Sequence, residues 1–223
     1  MSDAKIYVVA NQKGGAGKTT MSMMIGACLS TAFGHRTLIL DTDRQGTAQT
    51  WYAMASEDDP FPCSVIGVGQ SLHVDPKVIV RILSEHAENF DRIIVDCPAS
   101  VESPIARFAA LCADLVLIVV PPSPPDMWST VPFCQAVEEA QERNPDMKAR
   151  ILINGTRGTK LASASEQAAG RLRIPVLKEK VKRREFYMQA AALGASTYSS
   201  RLKREAAGAK GEIEALVAEL EAL

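Results

Sequence analysis

The sequence predicts an α/β fold: a doubly wound, mainly parallel sheet with helices on both faces. Three observations carry that expectation. Apolar runs alternate with helix-like segments along the chain. Several runs are continuous rather than alternating, as strands covered on both faces require. The sharpest motif, a glycine-rich turn, lies between the first run and the first helical segment.

The elements follow in order. Residues 5–10 are apolar after Lys5 and read as the first strand, with a helix over 18–32. Thr37-Leu38-Ile39-Leu40-Asp41 and Arg92-Ile93-Ile94-Val95-Asp96 are apolar runs closed by a carboxylate, giving strands at 37–41 and 92–96. A weaker strand is expected at 63–66. Leu115 to Val120 are all apolar, so 114–120 is a buried strand. Ile151-Leu152-Ile153 marks another at 149–153, and a short one is expected at 175–177. Helical patterns fill the intervals at 76–88, 103–112, 128–143, 160–172, 185–193 and 205–222. Pro121-Pro122-Ser123-Pro124-Pro125 is the one biased segment. It is either a rigid turn, since proline fixes φ, or part of the site or an interface. The 223 residues read as a single domain, with 47% hydrophobic residues to build a core. In such a sheet, ligands bind at the carboxyl ends of the strands.

Lys13-Gly14-Gly15-Ala16-Gly17-Lys18-Thr19-Thr20 is the most informative stretch. Strand, glycine-rich turn and helix together are the setting of a phosphate-binding loop. Its backbone N–H groups, from Gly14 to Thr20, close around phosphate oxygens, and the helix N-terminus adds a positive dipole end. Lys18 would reach the β- and γ-phosphates, and the Thr19 hydroxyl would bind Mg²⁺. The loop is unusual in two ways. Gln12 stands where the common loop has its first glycine, and Lys13 adds a second lysine.

Two further strand ends carry acids. Asp41 and Asp43 are one residue apart, so an extended chain points both to one side. Two acids aimed at one site suit Mg²⁺ and a water nucleophile; the plainer reading is a helix-capping Asp beside a loop Asp. Asp96 closes a buried run, the arrangement in which an acid orders Mg²⁺ through its water shell. No Asn/Thr-Lys-x-Asp box for guanine occurs, which favours ATP. Asn154, at the end of Ile151-Leu152-Ile153, either reads the adenine edge or is a turn residue before Gly155.

Formal net charge is −1, so the total says nothing about nucleic acid. The distribution is uneven. Residues 171–204 hold ten Lys/Arg and two Asp/Glu, a net of +8. Lys178, Lys180, Lys182, Arg183 and Arg184 cluster there, followed by Arg201, Lys203 and Arg204. A basic segment in a near-neutral chain is a candidate anion-binding face. The five cysteines are odd in number and form no CxxC pair, which disfavours a disulfide framework or zinc site and fits a reducing cytosol. No apolar run approaches the ~20 residues a membrane span needs.

Asn11-Gln12-Lys13-Gly14-Gly15-Ala16-Gly17-Lys18-Thr19-Thr20, Asp41-Thr42-Asp43-Arg44-Gln45-Gly46 and Ile94-Val95-Asp96-Cys97-Pro98 resemble the three nucleotide motifs of the ParA/MinD family of deviant Walker A ATPases. Gly208-Ala209-Lys210-Gly211-Glu212-Ile213-Glu214 is similar to the C-terminal helix of the small, ParF-like partition proteins. The resemblance implies a Mg²⁺-dependent ATPase that forms a homodimer around ATP. Lys13 and Lys18 would contact phosphates from the two subunits, Asp43 would orient the attacking water, and Asp41 would sit near Mg²⁺. It further implies partners: an adaptor or centromere-binding protein that stimulates hydrolysis, and non-specific DNA bound by the C-terminal surface. The expectation is DNA partition by a cytoplasmic, nucleoid-associated switch, with no membrane role. The alternative is a related ATPase that positions a protein assembly and binds little DNA. Arg44 departs from the family, which usually has Pro at that place.

Overall fold

The computed structural model describes residues 4–69, 75, 77–99, 104–157 and 173–223. Its strands are β1 (Lys5–Ala10), β2 (Thr37–Asp41), β3 (Ser64–Gly67), β4 (Arg92–Asp96), β5 (Leu115–Val120), β6 (Lys148–Thr156) and β7 (Val181–Lys182). Its α-helices are α1 (Lys18–Thr31), α2 (Thr47–Ala53), α3 (Val78–Ala87), α4 (Pro104–Ala110), α5 (Pro124–Arg143), α6 (Phe186–Leu193) and α7 (Lys203–Glu221). The strands form one sheet in the order β3-β2-β4-β1-β5-β6-β7. Every pairing is parallel. The expected doubly wound sheet is therefore present and parallel throughout the described residues.

Alternation along each strand divides the core in two. Tyr7 and Val9 of β1, and Leu115, Leu117 and Val119 of β5, pack with α1, α2, α6 and α7. Ile6, Val8 and Ala10, with Val116, Ile118 and Val120, pack on the other face with α3, α4 and α5. Both faces are apolar, which is why these strands read as unbroken runs. Helix α1 is buried almost all round, from Met21 to Leu29, and accordingly lacks a polar stripe. The C-terminal α7 buries Ile213, Leu216, Val217 and Leu220 in the first core half. No described helix is long and apolar enough to cross a membrane.

Several boundaries differ from expectation. The strand expected at 175–177 is a single bridge between Val176 and Ile151, and the edge strand follows at Val181–Lys182. Helix α5 begins at Pro124 rather than at 128: the Ser123 hydroxyl accepts from the Asp126 amide, and prolines occupy the first two helical positions, where no N–H is needed. Helix α2 was not anticipated. The helix expected at 160–172 lies outside the described residues.

At the amino ends of the strands, α7 is clamped to the sheet. Glu221 accepts from Arg92 Nε at 2.9 Å and Nη2 at 2.5 Å, and from the Tyr7 hydroxyl. Burial alone would raise the Glu221 carboxyl, but hydrogen bonds from Arg92 and Tyr7 and the Arg92 charge outweigh it and hold it at about 2. A depressed carboxyl stabilises the fold above its unfolded value near 4.5 and loses that contribution as pH falls towards 2. Glu221→Gln should therefore lower stability by about 2–3 kcal/mol at pH 7. Urea unfolding at pH 7, 4 and 3 checks this: the gap between variant and wild type should narrow with acid, and a pH-independent gap would refute the clamp.

Candidate functional site

The site is built on the carboxyl ends of β1, β2, β4, β5 and β6. Asn11, 1% exposed, follows β1 directly. Its side chain donates to the Val119 carbonyl at 2.7 Å and accepts from the Lys13 amide at 3.3 Å, fixing where the loop leaves the sheet. The turn needs left-handed backbone at Gly15 (φ 74°) and Gly17 (φ 90°). At Gly17 a side chain is also sterically barred: a Cβ would lie 2.2 Å from Asn154 Nδ2. Gly17 then leads into the first turn of α1, whose N–H groups have no partner within the helix. The segment from Gly14 to Thr20 thus has the backbone form of an anion cradle.

The two lysines are placed differently. Lys18 is 7% exposed and its ammonium donates to the Lys13 carbonyl across the loop at 3.2 Å. Burial lowers its pKa, opposed by the charge of Asp96. Lys13 has a 45% exposed side chain and pairs with Asp126 of α5. Gln12, just before it, donates to the Ser129 carbonyl of the same helix.

Asp41 and Asp96 are register neighbours on β2 and β4, each 1% exposed. Their surroundings differ. Asp41 Oδ1 accepts the Asp43 amide at 3.1 Å and Oδ2 the Gln49 amide at 3.1 Å. Burial raises its pKa while the amides of Gln49, Asp43 and Ala48 pull it down. Asp41 thus caps the start of α2 and ties down the loop before it. Asp43 is half-buried, and its Oδ1 accepts from the Gln45 amide at 3.0 Å. Asp96 Oδ1 accepts from Ser22 at 3.0 Å, whereas Oδ2 is buried without a hydrogen-bond partner among the described residues. Burial pushes the Asp96 carboxyl up to about 7, a hydrogen bond from Thr19 lowers it, and the Asp41 charge raises it. An orphaned carboxylate oxygen beside the Thr19 hydroxyl is a donor set suited to a hard cation with a water shell. Ser22 was missed in the sequence. Its position three residues after Thr19, on the same side of α1, was the available signal.

Beside the cradle, a cavity of about 540 Å³ opens among Gly15, Thr20, Asn154, Arg157, Arg183 and Tyr187. Asn154 donates to the Ala16 carbonyl at 2.8 Å, so its amide nitrogen braces the loop. The basic segment is less bare than its charge suggests. Lys182 and Arg184 share Glu212, at 3.3 Å and 2.5 Å. Arg201 pairs with Asp59 at 3.2 Å and donates to the Leu193 carbonyl at 2.7 Å. These three expected DNA-contacting residues each hold an intrachain carboxylate. Lys180 also has an interaction partner. Arg183, Lys203 and Arg204 are exposed and make no ion pair among the described residues.

The parallel sheet and this cradle define a phosphate-loop nucleotide-binding domain. A family model described as the CobQ/CobB/MinD/ParA nucleotide binding domain matches residues 7–197, and the chain belongs to that family, whose ParA/MinD members include ATPases. Maintenance of carboxysome distribution protein A of Halothiobacillus neapolitanus is 35% identical over 191 residues, covering 85% of each chain. The cell division ATPase MinD of Pyrococcus furiosus superposes with a TM-score of 0.76 at 18% identity, covering 98% of each chain. Apo McdA from Cyanothece gives 0.71 at 18% identity, covering 94% of this chain and 99% of that one. Those two structural likenesses show the shared fold.

Asp41→Ala should loosen the loop it caps without opening the sheet. Hydrogen exchange at the Asp43 and Gln49 amides should accelerate at least tenfold while β1, β4 and β5 stay protected. Unchanged exchange at Gln49 would contradict the capping role.

Proposed function

We propose that this chain is a Mg²⁺-dependent ATPase that dimerises in its ATP state and thereby positions a cargo. The observation that carries this reading is the division of labour between two lysines. Lys18 is buried against its own loop, and one lysine is enough for one set of phosphates. Lys13, in the same loop, is half-exposed and pairs with Asp126 of a neighbouring helix. A cation displayed there suits the nucleotide of a second subunit, where it acts as an arginine finger does.

The chain's own groups divide as follows. Backbone N–H groups from Gly14 to Thr20 receive the phosphates, and Lys18 neutralises their β and γ oxygens. Thr19 and Asp96 hold Mg²⁺, which offsets charge on the transferred phosphoryl group. Asp43 orients the attacking water, and Asp41 keeps Asp43 in place. The cavity beside the loop takes the nucleoside, with Asn154 Oδ1 left for the base amine. Lys13→Ala should bind ATP within about twofold of wild type yet lose roughly 10³-fold in stimulated turnover. Unchanged turnover would refute the two-subunit site.

The sign of the pH effect follows from Asp96. Its raised carboxyl is protonated in the fold below about pH 7 and ionised above it. A cation needs the ionised form, so Mg²⁺-dependent nucleotide binding should strengthen about tenfold between pH 6 and 8. Titration with a fluorescent ATP analogue checks this, and Asp96→Asn should flatten the profile.

Two cargoes fit the same cycle. DNA partition is one. The similarity over 85% of both chains to a protein named for carboxysome distribution favours the other, a protein assembly. In either case we propose non-specific DNA as the surface the dimer holds, through Arg183, Lys203 and Arg204, with an adaptor on the cargo stimulating release. Binding to random-sequence duplex should then require ATP and fall with salt, with a log–log slope of about −0.9 per phosphate contacted. The Lys203→Ala/Arg204→Ala variant should lower both affinity and slope. Absence of DNA binding in every nucleotide state would leave the switch but remove the track.

A further inference from the structure

The cavity beside the phosphate loop carries more positive charge than a nucleoside needs. Among the described residues, Arg157, Lys182, Arg183 and Arg184 line it, and no carboxylate does. Two of the four are answered from behind: Lys182 and Arg184 pair with Glu212 of α7 at 3.3 Å and 2.5 Å. Arg157 and Arg183 differ from them. Both are exposed, and neither makes an ion pair among the described residues.

Backbone register puts these two arginines side by side. Thr156 of β6 is the parallel partner of Lys182 of β7, and the Arg183 amide donates to the Thr156 carbonyl at 2.9 Å. Arg157 and Arg183 are the next residues on the two chains, so their backbones run roughly 5 Å apart. Like charges at neighbouring strand positions repel, and an anion held between them relieves the repulsion. Each guanidinium presents a planar fork of donors that matches phosphate oxygens, which makes phosphate the anion the pair fits best.

The place of the pair narrows which phosphate. The 5′-phosphates of a nucleotide belong to the backbone N–H groups of the cradle. The arginines share a cavity with Gly15, Thr20 and Asn154, on the side read above as taking the nucleoside. Adenosine is uncharged at pH 7, so a phosphate reaches them there only if the ribose carries one. Arginine near the ribose serves that purpose in dinucleotide sites, where it accommodates a 2′-phosphate. Duplex DNA also offers phosphates, but it lies along a surface. A cavity of about 540 Å³ that opens onto the cradle has the size of a small-molecule site.

We propose that this cavity takes nucleotides phosphorylated on the ribose as well as on the 5′ oxygen, with Arg157 and Arg183 holding the ribose phosphate. The proposal rests on the nucleotide-site reading and adds a second ligand class to it. With a 5′-diphosphate, such a nucleotide fills the site without a γ-phosphate, so it competes with ATP and opposes the ATP-driven state. Arg183 is shared with the DNA reading; Arg157, which that reading does not use, separates the two roles.

Competition against a fluorescent ATP analogue tests this with ADP, 3′-phosphoadenosine 5′-diphosphate and 2′-phosphoadenosine 5′-diphosphate. One of the two ribose-phosphorylated probes should bind roughly 20-fold more tightly than ADP. Most of that advantage should vanish in about 1 M salt. The isomer that gains identifies the ribose oxygen facing the pair. Arg157→Ala and Arg183→Ala, surface changes that should fold normally, should each bring the affinity ratio of that isomer to ADP close to one, and Arg157→Lys should keep part of it. The ratio is taken within each variant, so a general loss of affinity does not imitate the effect. Equal affinity of wild type for all three probes overturns the proposal, and so does an advantage that survives both alanine variants. Equal affinities together with weaker random-duplex binding by Arg157→Ala also overturn it and give the arginine pair to a DNA backbone. If ADP itself fails to compete, the nucleotide-site reading falls and takes this proposal with it.

Discussion

Burial of a parallel sheet on both faces leaves polar chemistry one place to go, the strand ends. Val8, Val9, Ile94, Val95, Ile118 and Val119 are at most 1% exposed, so nothing polar is tolerated between the ends of β1, β4 and β5. The first polar residues after the apolar runs are Asn11, Asp41, Asp96 and Asn154, and all four meet the same loop or each other. At the opposite ends, the same constraint gathers Tyr7, Arg92 and Glu221 into a clamp for α7. The site and the clamp are the two outlets of one packing problem. The first is left open to ligand, and the second is closed with the chain's own last helix.

Within the site, two buried carboxylates on adjacent strands have opposite fates. Asp41 is met by backbone amides on both oxygens, which makes it part of the scaffold. Asp96 is met on one oxygen only. An unsatisfied buried acid costs stability, a cost that the Mg²⁺ of the proposed cycle would relieve. The geometry therefore separates a satisfied acid from an unsatisfied one more sharply than residue type does. Both are Asp at the end of an apolar run.

That contrast marks the limit of what was legible in the sequence. Periodicity and glycine placement gave the sheet, both helical layers and the cradle, because each is written in local order. Helix α2 was hidden because it is short, follows Gly46 and takes its cap from Asp41, eight residues before Gln49. The partners of the basic segment were hidden for a related reason. Lys182 and Arg184 meet Glu212, 28 residues beyond Arg184, and Arg201 meets Asp59, 142 residues before it. Charge counting along a chain sees runs, not partners brought in by the fold. The strand expected at 175–177 failed because a short apolar run beside Pro175 makes only one bridge to β6, and the pairing resumes at Val181.

Lys13 links these observations to a switch. In the chain described here its anion is Asp126, a carboxylate 8% exposed that also accepts from the Ser123 hydroxyl at 2.7 Å. On the proposed cycle its second anion is a partner's nucleotide. Moving between them exposes no new cation; it exchanges one ion pair for another. The Ser123 bond stays with Asp126 throughout, so the vacated carboxylate keeps part of its compensation, and the exchange costs less than the ~3–5 kcal/mol of breaking a buried pair outright. Near balance is what a reversible switch requires, because a ligand shifts an equilibrium only by its differential affinity for the two states. A γ-phosphate adds negative charge on one side of the exchange, and its loss on hydrolysis returns the advantage to Asp126. The second lysine is then less an addition to the catalytic loop than the movable half of an ion pair whose fixed half lies on α5.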